Sequence, residues 1–414
     1  VIEGSDAVTF NAPVEMLTDG FTLDFSELDG DVQDLTLENF EAITPNATAP
    51  FDTGVTAPSD EGEGQIIGNG NADTRINLSV DGQVGFDDNE VGGFNSQGVP
   101  TYVVTDLNGS DSDIYVSDST QDVETLGLQG NQDRTVTFNN ARFDATFLME
   151  GDGGVDAAGR PKSEGNPNES SVGTLGIDFF TPGGPAVVNL NNRGTELGTT
   201  FDGEDRPLVA DGIELQNART LTVNVTDGDA VIEQISDVNT GADQLEEVTL
   251  TSENDVTIKG DLAIDSLTSF DASGVTGTVT LELTNDGTST DLSGVTVNGL
   301  DALVFNDPDT TGGGDVAATL SVDQLITLGA ENISTADEDG DSGLLNVTGL
   351  SDQALNLNGL DVGTIGDIST ADVDTATDGP IVIDSTVDYG GRDDRRAVQS
   401  ARRQRPHCQR DARY

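Results

Sequence analysis

Short runs of alternating apolar and polar residues recur along the second half of this 414-residue chain. Each run holds three to five residues and is closed by Gly, Asn or Asp. Because successive side chains of a strand point to opposite faces, such a run predicts a short β-strand with one buried face. The runs after residue 210 are Leu221–Val225, Val248–Leu250, Val256–Ile258, Leu262–Ile264, Val279–Leu283 and Val295–Val297.

These runs return at nearly regular intervals. A leucine followed three positions later by another apolar residue occurs at Leu245, Leu267, Leu300 and Leu325, with separations of 22, 33 and 25 residues. The segment Asp271–Thr276 recurs with one substitution 20 residues later. Short strands with a period of about 20 to 30 residues predict a parallel β-solenoid, in which each coil buries aliphatic side chains against its neighbours.

A tandem of β-sandwiches is the competing architecture for this region. Sandwich strands usually run longer and carry more aromatic side chains. Residues 211–390 contain only two phenylalanines, Phe270 and Phe305. We therefore favour the solenoid.

Residues 1–210 have a less regular texture. Phe21–Phe25 alternates as a strand does, but 52–64 and 150–170 are rich in Gly, Pro, Ser, Asp and Glu, which predicts exposed loops or insertions. We therefore expect an all-β chain. An irregular N-terminal β-rich domain with long acidic loops, residues 1–210, is followed by a parallel β-solenoid-like repeat domain, residues 211–390.

The charge of the chain is strongly asymmetric. Residues 1–390 carry 73 carboxylates and nine bases, a formal charge of −64, whereas eight of the fifteen arginines lie in residues 391–414. We interpret 391–414 as an aberrant Arg-rich tail of the kind that a frameshift or a misplaced chain end produces. A basic anchor is the alternative interpretation of this tail.

The acidity of residues 1–390 restricts the partners of the protein. A charge near −64 repels itself unless high salt screens it or bound divalent cations neutralise it. Without a basic patch the chain is a poor partner for nucleic acid, and no apolar run reaches the length of a membrane span. The low apolar content also fits disorder, against which stands the period-two alternation.

The style of the repeats resembles that of known surface proteins. Leu267–Leu281 (Leu-Thr-Ser-Phe-Asp-Ala-Ser-Gly-Val-Thr-Gly-Thr-Val-Thr-Leu) and Leu300–Phe305 (Leu-Asp-Ala-Leu-Val-Phe) resemble coils of bacterial S-layer and RTX-type secreted proteins. The resemblance covers about residues 211–390. It implies secretion, calcium-dependent folding and lattice assembly, although the nonapeptide GGxGxDxUx of true RTX repeats is absent from the sequence.

Three acidic loops predict calcium sites. Calcium takes six to eight oxygen ligands, which a loop supplies when Asp or Asn recurs at every second position and Gly permits the turn. None of the loops has the glutamate that completes an EF-hand, so ordinary Asp-rich turns are the competing interpretation of each one. The candidate ligands are Asp307, Asp309, Thr311 and Asp315 in one loop, Asp337, Asp339 and Asp341 in the second, and Asp106, Asn108 and Ser110 in the third.

The residue types exclude most enzymatic chemistry. Up to residue 390 the chain has no His, Cys or Trp, so imidazole- and thiolate-dependent catalysis and most transition-metal sites lack their groups. A carboxylate pair that hydrolyses a glycosidic bond remains open. The alternative function is therefore a carbohydrate-binding adhesin or a carboxylate-dependent, glycan-active enzyme on a β-helix scaffold, with Tyr102, Tyr115, Phe179 and Phe180 as aromatic candidates.

We expect a non-enzymatic, acidic structural protein that is secreted to a prokaryotic cell surface. Its expected partner is itself, in an S-layer or extracellular filament with Ca²⁺ as support, and cell-surface polysaccharide is a further candidate. We expect neither nucleic acid binding nor membrane insertion. Seven Asn-x-Ser/Thr sequons become relevant only if the source glycosylates its surface proteins; they begin at Asn46, Asn77, Asn108, Asn168, Asn224, Asn332 and Asn346.

Overall fold

A computed structural model gives the fold of the chain. It comprises two compact units, Val1–Thr280 with Thr296–Leu300 and Leu281–Val295 with Asp301–Tyr414. The described residues are 10–13, 22–24, 26, 35–38, 65–70, 74–80, 92–107, 111–116, 123–130, 133–151, 170–179, 181–192, 207–238, 245–260, 266–284, 289–306, 316–336, 343–350, 354–356, 364–370 and 382–384.

The first unit contains an eleven-stranded parallel sheet, which we call the first sheet. Its strands, in the order in which they pair, are β1 (Phe10–Pro13), β3 (Leu35–Glu38), β5 (Arg75–Val80), β7 (Thr101–Leu107), β9 (Thr125–Gln129), β11 (Thr146–Glu150), β13 (Gly184–Asn191), β15 (Ala218–Thr226), β18 (Glu247–Ser252), β20 (Ser269–Val275) and β23 (Thr296–Asn298). Alternation explains their burial. In β15, Leu221, Val223 and Val225 are buried, whereas the residues between them are half-buried.

A second series of parallel strands alternates with the first along the chain, and we call it the second sheet. Within the first unit it consists of β2 (Thr22–Asp24), β4 (Gln65–Ile67), β6 (Gly92–Gln97), β8 (Ser112–Val116), β10 (Thr135–Ala141), β12 (Ser170–Phe179), β14 (Leu208–Gln216), β16 (Ala230–Ile232), β17 (Ile235–Asp237) and β19 (Val256–Lys259). Both β16 and β17 pair with β14. Because the chain adds strands to the two sheets in turn, it winds as a solenoid.

The core of the first unit lies between the two sheets. The ring centroid of Phe147 in β11 lies 6.3 Å from that of Phe138 in β10 and 6.0 Å from that of Phe179 in β12. All three side chains are almost fully buried. Along the sheet, aliphatic side chains stack in register, as Leu221 does on Val248. Burial of each such side chain contributes about 1.5–3 kcal/mol, so the stack itself joins neighbouring coils.

Coil length varies while the strands stay paired, with local register shifts as between β18 and β20. Residues paired on neighbouring strands are 27 positions apart from Leu221 to Val248 and 22 apart from Val248 to Phe270. They are 41 apart from Phe147 to Val188, in the coil that also contains the predicted loop 150–170. The additional residues lie between strands in the sequence, and the strands on either side still pair.

Strands of the second unit also pair in parallel. The first pair is β24 (Ala302–Phe305) with β26 (Ile333–Thr335). A four-stranded sheet has the order β22 (Ser289–Asp291), β25 (Val316–Ser321), β27 (Gly343–Leu350) and β29 (Thr364–Thr370). A further pair is β28 (Ala354–Asn356) with β30 (Val382–Asp384). Strand β21 (Val279–Leu283) contains residues of both units.

Helix α1 (Val322–Leu328) follows β25 directly. Its capping box pairs the Oγ of Ser321 with the backbone N–H of Gln324, and the Oε1 of Gln324 with the backbone N–H of Ser321. Leu325 and Leu328, which the sequence pattern grouped with the strand-forming leucines, are buried on this helix. Residues three positions apart share a helix face as well. A 3-10 turn, Ala330–Asn332, leads from the helix into β26.

The expected fold is confirmed: the chain is mostly β, and its long parallel sheets have the stacked pairing of a β-solenoid. Parallel pairing also includes strands that precede residue 211. Strand β12 pairs with β14, which runs through residue 210. The domain limits 1–210 and 211–390 stay predictions, and the Arg-rich tail 391–414 lies outside the described residues.

Candidate functional site

The ten predicted calcium ligands lie outside the part of the chain whose side chains the structure describes. Residues 307–315 follow β24, and residues 337–342 follow β26. Asp106 is in β7, where only its backbone is described. Among the described residues, no group of three or more His, Cys, Asp and Glu side chains could hold a metal ion. The calcium sites therefore stay a prediction.

Two of the four aromatic residues considered for carbohydrate binding are core residues. Tyr102 in β7 is fully buried and Phe179 in β12 is 1% exposed. The side chains of Tyr115 and Phe180 are not among the described ones. Since a sugar-binding platform needs an accessible ring face, Tyr102 and Phe179 cannot line a groove.

Two half-buried carboxylates lie on neighbouring strands of the second sheet. Asp178 in β12 pairs in register with Gln216, two residues after Glu214 in β14. Because side chains alternate between faces, Asp178 and Glu214 share the outward face at diagonal positions, with Cα atoms about 8 Å apart from strand spacing and rise. This diagonal pair was not singled out in the sequence.

The pKa values of both carboxylates are raised above their ordinary values. Burial raises the pKa of Asp178, and a hydrogen bond from the Nδ2 of Asn217 to its Oδ1, 2.8 Å long, partly opposes that rise. Burial also raises the pKa of Glu214, and the negative charge of Asp111 raises it further. No described residue donates a hydrogen bond to the Glu214 carboxylate. Chemically, the pair can take up protons or attract a cation.

A glycine, Gly176, lies beside these carboxylates on the same face of the second sheet. Gly176 in β12 pairs with Thr137 of β10 on one side and with Glu214 on the other. A Cβ at Gly176 would lie 2.5 Å from the Oγ1 of Thr137. The threonine side chain thus occupies the space that any larger residue at position 176 would need.

Aspartates also link successive coils at the start of the second-sheet strands. The Oδ1 of Asp229 accepts from the backbone N–H of Asp255, at 3.1 Å, and the Oδ1 of Asp255 accepts from that of Thr278, at 2.6 Å. Asp111 accepts in the same way from Thr135, at 2.9 Å. We call these three residues the corner aspartates. Their sequence signal is an aspartate directly before a strand, as in Asp229-Ala230 and Asp255-Val256.

On the outward face of the first sheet, polar side chains bond to one another. The Nδ2 of Asn224 donates to the Oδ1 of Asn189, at 2.8 Å, and the Oδ1 of Asn224 accepts from the Oγ1 of Thr251, at 2.6 Å. These three residues are in register on β13, β15 and β18. We call these three residues the amide row; their side chains bond to one another across three strands, which is the behaviour of a structural element.

Basic side chains also form ion pairs with acidic side chains of the same chain. Arg75 binds Glu150, Arg142 binds Asp144, Arg219 binds Glu246 and Lys259 binds Glu233, with nitrogen–oxygen distances of 2.5 to 3.0 Å. Two of these pairs, Arg219–Glu246 and Lys259–Glu233, join residues that are 27 and 26 positions apart and so lie on successive coils.

Comparisons with known proteins give no family for the chain. It matches no protein-family model, no curated protein and no solved structure. In the described part of the chain, no helix has the length and apolar character needed to cross a membrane.

Proposed function

We propose that this protein is an acidic structural protein of a prokaryotic cell surface, which assembles with copies of itself into an S-layer or an extracellular filament supported by Ca²⁺. The observation that carries the proposal is the continuous parallel stack of eleven strands in the first sheet. A stack of coils grows by adding hydrogen-bonded neighbours, and a strand at its end offers unpaired N–H and C=O groups to another chain.

The use of polar side chains in the described residues supports a structural role. The amide row Asn189, Asn224 and Thr251 bonds internally, and the corner aspartates hold the backbone of the next coil. A binding protein or enzyme instead presents polar groups to a ligand. The described contacts serve coil-to-coil cohesion.

The charge balance supports the calcium part of the proposal. Three aspartates within five residues, Asp337, Asp339 and Asp341, repel one another when one turn gathers them. A bound Ca²⁺ ion neutralises the carboxylates that ligate it and so removes their repulsion. A ligand that binds only the folded chain also stabilises the folded state by mass action.

Microscopy of the purified full-length chain tests the proposal. We expect ordered sheets or filaments at millimolar calcium, which dissolve when a chelator is added and return when calcium is restored. Light scattering under the same conditions measures the particle mass. A strictly monomeric particle at every calcium and salt concentration would contradict assembly.

A further inference from the structure

Four of the seven sequon asparagines lie among the described residues, in two different settings. Asn77, Asn224 and Asn346 lie within strands β5, β15 and β27 and are half-buried. Asn332 is exposed and ends the 3-10 turn Ala330–Asn332. From this contrast we infer that Asn332 is an acceptor site for N-linked glycan in the folded protein and that the three in-strand sequons are not.

An N-glycosylation sequon presents two groups to the transferring enzyme, the asparagine amide and the hydroxyl two residues later. In the sequon at Asn224 both groups are occupied. The amide bonds to Asn189 and Thr251, and the Oγ1 of Thr226 donates to the backbone oxygen of Leu190, at 3.2 Å. Because β15 has a paired strand on either side, presenting this sequon to the transferase would require the Asn224 and Thr226 side chains to leave these partners.

The other two in-strand sequons are also engaged. The Oδ1 of Asn77 accepts from the Nε of Arg75, at 2.9 Å. In the sequon at Asn346, the Oγ1 of Thr348 lies 3.4 Å from the backbone oxygen of Leu320, to which it donates. Both asparagines have a paired strand on either side, since β5 lies between β3 and β7 and β27 lies between β25 and β29.

Ser334, the hydroxyl partner of this sequon, is half-buried in β26, whereas Asn332 itself is exposed. Its Nδ2 donates to the backbone oxygen of Leu328, at 2.7 Å. A primary amide has two N–H hydrogens, so one can be replaced while the other keeps this bond. The hydroxyl of Ser334 makes no hydrogen bond to any described residue. The turn can therefore accept a glycan without loss of its contact to helix α1.

The required donor is an oligosaccharide linked through pyrophosphate to a lipid. The Nδ2 of Asn332 forms a bond to the anomeric carbon of the first sugar, and the bond from that carbon to the pyrophosphate oxygen breaks. The lipid pyrophosphate leaves with the bonding electrons, and the amide loses one proton to a base of the transferase. No oxidant or reductant is involved.

The test uses purified full-length protein, an N-oligosaccharyltransferase and a lipid-linked oligosaccharide, with glycopeptide mass spectrometry as the measurement. We expect modification of the peptide that contains Asn332, and at least tenfold lower occupancy at Asn77, Asn224 and Asn346. The variants N332Q and S334A should lose the modification, whereas S334T should keep it. In urea-unfolded protein, the in-strand sequons should gain occupancy.

Two results would overturn the inference: an unmodified Asn332 in the folded chain, or equal occupancy at Asn224 and Asn332. The inference rests on the proposed function for its biological setting, because glycosylation of this kind occurs on exported proteins. The enzymatic assay needs no assembly, however. A modified Asn332 in a protein that never assembles would contradict the proposed function and leave the acceptor site established.

Discussion

The guanidinium of Arg75 in β5 lies 2.7 Å from the carboxylate of Glu150 in β11, although β7 and β9 separate the two strands. The same side chain donates to the Oδ1 of Asn77 and to the Oε1 of Gln129. Glu150 is 7% exposed and Arg75 is 18% exposed. One side chain thus ties together three strands of the first sheet.

We predict that Arg75→Met lowers the free energy of unfolding by about 3 kcal/mol, because it leaves the Glu150 carboxylate buried without its cation. Urea unfolding followed by circular dichroism measures the change. Arg219→Met is the matched control, since the Arg219–Glu246 pair lies at the surface with Arg219 59% exposed. It should change stability little. Equal losses in both variants would contradict a special role for Arg75.

Two copies of one sequence motif should respond differently to the same substitution. The copies are Asp271-Ala-Ser-Gly274 and Asp291-Leu-Ser-Gly294. In each, the Oδ1 of the aspartate accepts a hydrogen bond from the backbone N–H of the serine two residues later, at 3.0 and 2.9 Å. A Cβ at Gly274 would lie 3.0 Å from the Cγ2 of Thr251 and 3.1 Å from the backbone oxygen of Leu250, whereas a Cβ at Gly294 meets nothing within 4 Å.

Gly274→Ala should therefore cost about 1–3 kcal/mol through overpacking, and Gly294→Ala should be neutral or slightly stabilising because it restricts the unfolded chain. Thermal unfolding of the two variants gives the comparison. A larger loss at position 294 than at position 274 would show that the described packing does not govern these sites.

Glu214 should contribute more to the stability of the fold in mild acid than at neutral pH. Burial and the charge of Asp111 raise its pKa in the folded chain, so the folded state binds more protons than the unfolded state between the two pKa values. Stability contributed by this group therefore falls as pH rises through the folded pKa.

Glu214→Gln should thus raise the free energy of unfolding at neutral pH by a small amount, within about 0.5 kcal/mol. The gain should disappear below the unfolded-state pKa, where the wild-type carboxyl is already protonated. Glu253→Gln, at an exposed position, is the control. A gain that is equal at both pH values would indicate packing rather than charge as its cause.

Asn224→Ala should lower the free energy of unfolding by about 1–2 kcal/mol, because the variant loses the bonds to Asn189 and Thr251. Thr222→Ala is the matched control. Thr222 lies on the same strand and the same face, is half-buried, and makes no side-chain hydrogen bond to a described residue. Denaturant titration measures the free energy of unfolding of both variants. An equal loss in Thr222→Ala would contradict a stabilising role of the amide row.

Chelation of calcium should lower the unfolding midpoint or dissolve the assembly, and millimolar calcium should restore it. NaCl at equal ionic strength should not restore the midpoint or the assembly, since its ions screen charges diffusely and do not occupy a site. The variant with Asp337→Asn, Asp339→Asn and Asp341→Asn should respond less to calcium than the wild type in a calorimetric scan. If NaCl substitutes fully for calcium, the acidity serves salt tolerance and the loops are plain turns.

Alternation predicted β15, β18, β19 and β21, whose buried positions, such as Val248 and Leu250, stand two apart. The predicted run Leu262–Ile264 lies outside the described residues. The parallel stack before residue 210 was less visible. Long segments between strands there, as in the 41-residue step from Phe147 to Val188, hide the period although β11 and β13 remain paired. Sequence spacing therefore reveals a solenoid only where its coils are short.

The candidate carboxylates could not be predicted. In a chain with 76 acidic residues, no local pattern distinguishes Asp178 or Glu214 from the others. Their burial depends on side chains that other coils supply from distant positions. The corner aspartates were predictable in principle, because Asp229 and Asp255 each directly precede a strand.

Because coil length varies while the strands stay paired, the length of the first sheet depends on its number of strands. Each strand advances the sheet by about 4.8 Å, so its eleven strands span about 48 Å from the first to the last. A coil with a long insertion adds the same increment as a short one. The length of the sheet is thus set by the number of coils rather than by the number of residues. Evolution can therefore add or remodel a connection between strands without changing that length.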